Sequence, residues 1–236
     1  MKKTLSIILS VLFLLSLCAC RNNSSQNTKS NESKKPSAAF SQSNDEAETT
    51  VESDEVEKNI KISTQPTEDG GLCVFITNNN KSVIDELDLQ VKFLDNQNSV
   101  VNIAEDGHDM ILPGYTVVSM FNDTDVPKSY NKVETEITTE IGVYPSYENH
   151  SKDIKINANK GSDCIIVQFT NNSNVEIEEL EYIVVLYKNN KIVKATYAQD
   201  VYDLKVGKTV TEKEDLYGTK YDNFEVYLNQ AHTFGD

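Results

Sequence analysis

The segments "FITNNN" (Phe75 to Asn80) and "VQFTNNSN" (Val167 to Asn174) share one pattern, a β-type run followed by an Asn-rich turn. "NIKIS" (Asn59 to Ser63) recurs in the same way as "DIKIN" (Asp153 to Asn157). A shift of 93 residues also superimposes apolar positions, namely Leu72, Val74 and Ile76 on Ile165, Val167 and Phe169, and Leu87, Leu89, Val91 and Phe93 on Leu180, Tyr182, Val184 and Leu186. Self-similarity at a fixed spacing is the signature of a repeat architecture. The sequence therefore predicts a tandem duplication, with repeat 1 at residues 59–148 and repeat 2 at residues 149–236.

Each repeat alternates apolar and polar residues with a period of two, and Asn, Gly and Asp turns separate the runs. In repeat 1 this pattern predicts strands near residues 60–64, 72–77, 84–95, 100–104, 116–121 and 132–141. The matching strands of repeat 2 are expected around Ile154, Ile165, Leu180, Ile192, Thr209 and Phe224. One apolar face per strand and a length of about 90 residues favour an all-β, immunoglobulin-like antiparallel sandwich in each repeat. A small barrel is the alternative.

Three segments carry a family resemblance: the "TNN" turn, the long run "LDLQVKFLDNQNSVV" (Leu87 to Val101) and "LPGYTVVSMF" (Leu112 to Phe121). Their order resembles that of FxLYD-type domains and related immunoglobulin-like modules of bacterial lipoproteins. Repeat 1 has the expected residues at Asn78, Phe93, Asp95, Pro113 and Gly114. Repeat 2 has them at Asn171, Tyr187 and Gly207 but carries Lys188 in place of Asp and Val206 in place of Pro. The resemblance implies a sandwich fold and a cell-surface setting, and it implies no reaction.

The amino terminus has the anatomy of an export signal. Lys2 and Lys3 precede an apolar run from Leu5 to Leu17, which is shorter than the roughly 20 residues that a membrane-spanning helix needs. The tetrad "LCAC" that ends at Cys20 resembles the lipobox of bacterial lipoproteins, in which the cysteine receives a diacylglycerol and becomes the first residue. Residues 1–19 are therefore predicted to be removed, and Cys20 to hold the chain on the membrane through lipid. The alternative is an ordinary secretory signal with an incidental cysteine.

Residues 20–58 are predicted to form a disordered polar tether that begins at the lipidated Cys20. They are rich in Ser, Asn, Lys and Glu and contain too little apolar surface to offset the entropy of ordering. A flexible coil of this length has an end-to-end distance of roughly 35 Å. Such a tether suits a protein that stands on the extracytoplasmic face of the cell membrane in a Gram-positive type of envelope.

Charge argues against nucleic acid as a partner. The chain has 22 Lys and Arg against 37 Asp and Glu, a net charge of −15, which becomes −17 when Lys2 and Lys3 leave with the signal. A surface of this sign repels the phosphate backbone and tolerates cationic partners.

The sequence offers no recognisable catalytic or cofactor motif, and we expect neither a cofactor nor a metal. His108, His150 and His232 are each expected in a turn or tail, and "EDGHD" (Glu105 to Asp109) reads as a turn because of its Asp-Gly pair. Acidic clusters could attract Ca²⁺, but strand positions favour solvated faces instead; they comprise Asp85, Glu86 and Asp88, and Glu176, Glu178, Glu179 and Glu181. Cys73 and Cys164 are expected to remain free thiols.

One asymmetry between the repeats marks a candidate partner patch. Where repeat 1 places polar residues on the outer face of its long strand, repeat 2 places apolar and aromatic ones, and the patch comprises Ile183, Val185, Tyr187 and Tyr227. Contiguous apolar surface of this kind marks contacts. The occupant remains open: it is either a protein partner, or repeat 1 or an extra segment of this same chain.

These observations together predict a lipid-anchored, non-catalytic protein that acts as a binding or structural module with an unidentified ligand. Two alternatives stay open. One is an accessory subunit or regulator of a membrane or cell-wall complex, and the other is an envelope enzyme whose site has no recognisable motif.

Overall fold

The computed structural model describes residues 53–142 and 147–234. These residues form fourteen β-strands, one short α-helix and one 3-10 helix (Ser151–Asp153). The elements are α1 (Ser53–Lys58), β1 (Ile60–Pro66), β2 (Leu72–Asn78), β3 (Ile84–Leu94), β4 (Val100–Ile111), β5 (Thr116–Phe121), β6 (Lys132–Glu140), β7 (Glu148–Asn149), β8 (Ile154–Lys160), β9 (Cys164–Asn171), β10 (Ile177–Lys188), β11 (Lys191–Ala195), β12 (Gln199–Leu204), β13 (Thr209–Asp215) and β14 (Asn223–Thr233). The all-β prediction is confirmed.

Repeat 1 folds into two antiparallel sheets of three strands each, with the strand orders β1-β2-β5 and β4-β3-β6. Their facing sides form one apolar core, in which Val74 and Ile76 of β2 pack with Leu89 and Val91 of β3. Each fully buried aliphatic side chain contributes about 1.5–3 kcal/mol. The alternation along each strand thus produces the two-layered sandwich expected from the sequence.

Repeat 2 pairs its strands in the same order. One sheet has the order β8-β9-β13, and the other contains β11, β10 and β14, with β12 also paired to β10. Val167 and Phe169 of β9 and Leu180 and Val184 of β10 lie in the core between the two sheets. In both repeats the second long strand pairs with the first and with the next-to-last strand, and the third pairs with the last.

One buried asparagine in each repeat makes the same hydrogen bonds. The Asn78 amide nitrogen donates to the carbonyl oxygens of Ser82 (3.0 Å) and Ile111 (2.8 Å). The Asn171 amide nitrogen donates equivalently to Val175 (2.8 Å) and Leu204 (2.9 Å). Both side chains are fully buried, so each satisfies carbonyl groups that would otherwise lie in the core without partners.

The glycine of the later hairpin completes this arrangement. Gly114 donates its N–H to the Asn78 carbonyl (2.7 Å), and Gly207 donates to the Asn171 carbonyl (2.9 Å). Both glycines have positive φ, 79° and 67°, a conformation that disfavours side chains. In each repeat a backbone hydrogen bond therefore links the glycine of this hairpin to the buried asparagine.

The two repeats stack through a third apolar layer. The outer face of the β1-β2-β5 sheet, with Cys73, Phe75 and Val118, packs on the outer face of the β10-β14 sheet, with Ile183 and Val185. We call this cluster the inter-repeat layer; it also contains Ile192 and Ala195. Four sheets thus lie face to face with three apolar layers between them, and all described residues belong to one compact unit.

Glu148 and Asn149, at the predicted boundary between the repeats, form a short strand. The short strand β7 pairs with β14, and the Asn149 amide donates to the carbonyl of Met110 in repeat 1 (2.6 Å). The boundaries predicted at residues 148 and 149 stay a prediction.

The expected turn at Glu105 to Asp109 is wrong. These residues lie inside β4, where Gly107 pairs with Asp88 and His108 pairs with Leu87 of β3. An Asp-Gly pair favours a turn only where the chain can reverse, and here β3 is long enough to hydrogen-bond β4 past the glycine. β4 continues to Ile111, which pairs with Ile84 of β3.

The tether predicted for residues 20–58 extends too far. Ser53–Lys58 forms α1, and Val56 is buried in the core of repeat 1. The single apolar residue of this segment covers one end of the sandwich, and the carbonyl of Val56 accepts a hydrogen bond from the Asn80 amide (3.0 Å). The rest of the predicted tether, the signal segment and Cys20 lie outside the described residues.

The described chain contains no helix with both the length and the apolar character required to cross a membrane.

Candidate functional site

The four residues of the predicted partner patch lie in or beside the inter-repeat layer. Ile183 and Val185 are buried there, and Tyr187 and Tyr227 pack at its margin. Repeat 1 therefore covers this surface, and it is one of the occupants that the sequence left open. The physical reason is burial of apolar surface, because the apolar outer face of repeat 2 meets the outward residues Cys73, Phe75 and Val118 of repeat 1.

A cleft of about 550 Å³ opens along the β1 side of the inter-repeat layer. We call it the tyrosine cleft. Its apolar lining consists of Phe75, Tyr187 and Tyr227. Its polar lining comes from both repeats and includes Gln65, Asn189, Asn190, Asn223, Asp222 and Glu225. The cleft exists only because the repeats are docked.

Hydrogen bonds and ring contacts fix the tyrosines. The Tyr187 hydroxyl donates to the Glu225 carboxylate (3.2 Å) and lies 3.4 Å from the Tyr227 hydroxyl, which also donates to Glu225. The Tyr227 ring meets Phe75 edge to face, with 5.4 Å between centroids. Burial raises the pKa of Tyr187 to about 12. Both phenols therefore stay protonated and serve as donors at neutral pH.

The hairpin turn between β10 and β11 forms one wall of the cleft. Asn189 and Asn190 both have positive φ, 50° and 61°, which asparagine tolerates better than most residues. The Asn189 N–H donates to the Asp222 carboxylate (2.9 Å), and the Asp222 N–H donates to the Tyr187 carbonyl (2.7 Å). These two bonds attach the turn to the segment that leads into β14.

A second cleft, of about 500 Å³, opens on the β5 side of the same layer. We call it the acidic cleft, because its lining includes Glu105, Asp106, Asp125 and Glu181. Burial raises the pKa of Glu181, and a hydrogen bond from the Asn229 amide (2.7 Å) opposes this shift. We expected the acids of β10 to lie on a solvated face. Glu181 differs from this expectation, because it faces repeat 1.

Asn229 locks the two repeats together at this cleft. Glu181 pairs with Gln230 and Tyr182 pairs with Leu228, so Asn229 is the extra residue of a β-bulge. Its side chain accepts from the Val118 N–H (2.9 Å) and donates to the Val118 carbonyl (3.1 Å). β5 is the outer strand of its sheet, so the amide satisfies backbone groups that no neighbouring strand reaches. No apolar pattern signals this role in the sequence.

His108 and Ser119 form a buried pair that does not resemble a catalytic relay. The His108 Nε2 lies 2.8 Å from the Ser119 hydroxyl and 3.8 Å from the Asp106 carboxylate. A relay needs the acid on the other ring nitrogen and an accessible nucleophile. Here both partners meet the same nitrogen, and Ser119 is fully buried. His108 lies in a strand, which corrects the expected turn.

His232 is buried where β14 pairs with the short strand β7. It belongs to β14, and His150 immediately precedes the 3-10 helix, so only His150 lies outside a strand as expected. Neither ring nitrogen of His232 makes a hydrogen bond to any described residue, although its Nε2 lies 3.6 Å from Glu179. Tyr147 stacks on the imidazole with centroids 6.0 Å apart. This environment favours the neutral ring.

We expect the protein to lose stability as the pH falls below about 6.5. Burial lowers the pKa of His108 and His232, against the opposing charges of Asp106 for the first and Glu179, Asp109 and Glu178 for the second. As the pH falls, the histidines of the unfolded chain therefore take up protons before those of the folded protein. Each histidine lowers the free energy of unfolding by at most about 1.4 kcal/mol per pH unit between 6.5 and its folded pKa. Urea unfolding midpoints between pH 8 and pH 5 would measure the effect.

A His108→Gln/His232→Gln variant isolates this contribution. Burial raises the pKa of Glu181 and Asp109, so stability rises as the pH falls through their folded pKa values, which opposes the histidine effect. Both carboxyls are retained in the variant. A wild-type pH profile that parallels the variant profile over this range would contradict the histidine account.

No cluster of three or more metal-ligating side chains occurs within residues 53–142 and 147–234. Three of the acids considered for Ca²⁺ have protein partners: Glu176 pairs with Lys205, Glu178 accepts from the Phe234 N–H, and Glu179 faces His232. Cys73 and Cys164 are free thiols, as predicted, and both are buried. Burial raises the pKa of Cys73 to about 12.

No protein-family model matches the sequence, and no curated protein matches it. Among solved structures, the chain is similar to red sea bream transglutaminase with a TM-score of 0.22 and 9% sequence identity. The similarity covers 73% of this chain and 29% of the transglutaminase. A likeness this weak assigns neither a family nor an activity.

Proposed function

We propose that this protein is a lipid-anchored, non-catalytic binding module on the outer face of the cell membrane, and that the tyrosine cleft is its ligand site. The observation that carries the binding role is the pre-organised lining of this cleft. The Glu225 carboxylate fixes two phenol hydroxyls, and Asp222 fixes the turn that carries Asn189 and Asn190. A site ordered before binding loses less entropy when its ligand arrives.

Docking of the repeats supports the same role. Gln65 and Phe75 come from repeat 1, whereas Tyr187, Asn223 and Tyr227 come from repeat 2. A passive spacer does not require residues of both repeats to meet in one cleft, since the two sandwiches could follow one another along the chain without contact. The buried inter-repeat layer holds the two halves of the cleft in register.

The absence of catalysis is proposed from the geometry of the histidines. His108 meets a fully buried serine, and His232 is surrounded by Tyr147 and Phe234. Nothing in either arrangement presents an activated nucleophile to a substrate.

The setting is proposed from the sequence. The "LCAC" tetrad, the charged start and the polar segment that follows fit a lipid anchor on Cys20 and a tether. The resemblance to FxLYD-type lipoprotein domains supports the same location. A diacylglycerol with a further acyl chain gives stable attachment, whereas one chain binds only marginally.

A Cys20→Ser substitution tests the anchor. The unchanged protein is expected in the membrane fraction, and the variant is expected in the soluble fraction, since it loses the acyl chains. Intact mass spectrometry of the membrane-extracted protein checks the modification directly. An unacylated Cys20 in the native protein would overturn the proposed anchor.

A photocrosslinking amino acid at Asn223 tests the binding site in intact cells. Asn223 lies in the cleft, and a matched position, Tyr217, is 83% exposed and outside it. We expect a specific adduct from position 223 that is missing from position 217. Equal adducts at both positions, or none at 223, would count against the cleft.

A further inference from the structure

We infer that the tyrosine cleft binds a neutral oligosaccharide. This inference rests on the proposed binding function and names the ligand class of the same site. It follows from the side chains that converge in the cleft, the hydrogen-bonding groups they leave unused and the weak net charge of the lining.

The aromatic lining suits the faces of sugar rings. A pyranose presents C–H groups on its faces and hydroxyls around its edge, so it packs on an aromatic surface while remaining polar at its rim. Tyr187 and Tyr227 supply such a surface, and the buried Phe75 holds the Tyr227 ring in place through an edge contact. Tyr187 and Tyr227 are only partly buried, which leaves part of each ring accessible.

Unused amides surround this surface. Gln65, Asn190 and Asn223 make no side-chain hydrogen bond to any residue that the structure describes, and all three are exposed. An amide carries both donors and an acceptor. A sugar hydroxyl needs a donor and an acceptor at once, so an amide satisfies it better than a single charge does.

The charges of the cleft are few and partly engaged. Glu225 accepts from two phenols, and Asp222 accepts from the Asn189 N–H, while Lys61 contributes one positive charge. The net charge of −15 on the chain disfavours polyanions. A neutral polar ligand therefore fits the site better than an ion.

The volume agrees with a short segment of a glycan. A cleft of about 550 Å³ falls within the range of about 300–1,000 Å³ for small-molecule sites. Its walls come from two sandwiches, and a chain can therefore lie along the seam between them.

Isothermal titration calorimetry tests the inference. The full-length protein in detergent is titrated with two soluble probes, cellotetraose and chitotetraose. These sugars share a β-linked backbone and differ in their acetamido groups. We expect at least one of them to bind with a Kd of about 1 mM or tighter. Tyr187→Ala is expected to weaken binding at least tenfold, and Tyr217→Ala, the matched tyrosine outside the cleft, should leave it unchanged.

A second variant guards against loss of folding. Gln65→Ala/Asn223→Ala removes two exposed amides without removing buried surface, and we expect it to weaken binding at least tenfold as well. Failure of both sugars to bind, or undiminished binding by this variant, would overturn the oligosaccharide inference. The proposed binding function would still stand if position 223 gave a specific crosslink to another ligand, so the two failures are distinguishable.

Discussion

Val185→Asp is expected to separate the two repeats or to destabilise the protein by about 3–5 kcal/mol. Val185 is fully buried in the inter-repeat layer, among Cys73, Phe75 and Val118 of repeat 1. A carboxylate there would lie in an apolar surrounding without a counter-charge. Separation of the repeats costs less free energy than burial of the charge, because it returns the carboxylate to water and leaves both sandwich cores intact.

Chemical denaturation with two spectroscopic probes would measure this effect. We expect the unchanged protein to unfold in one transition and the variant to unfold earlier or in two steps. Val206→Asp provides the same chemical change at a residue that is 49% exposed, and it should alter stability by no more than about 0.5 kcal/mol. Equal effects of the two substitutions would contradict the inter-repeat layer.

Asn171→Ala is expected to destabilise the protein by on the order of 3 kcal/mol or more. The Asn171 amide nitrogen donates to the carbonyls of Val175 and Leu204, and its oxygen accepts from the Ser173 N–H (2.9 Å). Alanine would leave these backbone groups buried and without partners, at a cost of about 1–3 kcal/mol each. Urea unfolding of the purified variant would measure the loss.

Two further substitutions serve as controls for this prediction. Asn78→Ala breaks the equivalent bonds in repeat 1 and should cost a similar amount. Asn172→Ala alters the exposed neighbour and should stay within about 0.5 kcal/mol. If Asn171→Ala were as mild as Asn172→Ala, the buried asparagine would not stabilise the turn as described.

The strands could be predicted because their information is local. Alternation along Leu72, Val74 and Ile76 marks one face of β2, and the same alternation along Ile165, Val167 and Phe169 marks the matching face of β9. The asparagine and glycine turns were equally visible, since they recur at the same spacing in both copies.

The contact between the repeats could be only half predicted. Ile183 and Val185 are recognisable in the sequence as apolar residues on an outer face. Which surface covers them depends on how two distant segments of the chain meet. Cys73 and Val118 point outward from repeat 1, and nothing local shows that another sheet covers them. Asn229 gave no signal at all, because its role arises from a β-bulge in β14.

The tyrosine cleft could not be predicted for the same reason. Its lining joins β1 and β2 of repeat 1 to β10 and β14 of repeat 2, across more than half of the described chain. The turn expected at residues 105–109 failed differently, because tertiary pairing with β3 overrode a local turn preference. α1 was missed because a single buried residue, Val56, orders it.

Thiol labelling of Cys73 tests the docked arrangement of the repeats. Cys73 points away from the core of repeat 1 into the inter-repeat layer, where repeat 2 packs over it. In a variant with Cys18, Cys20 and Cys164 replaced by serine, a thiol reagent should modify Cys73 no faster than the protein unfolds. Rapid modification of Cys73 in a protein that keeps its β-sheet circular dichroism would show that the repeats are not docked through this layer.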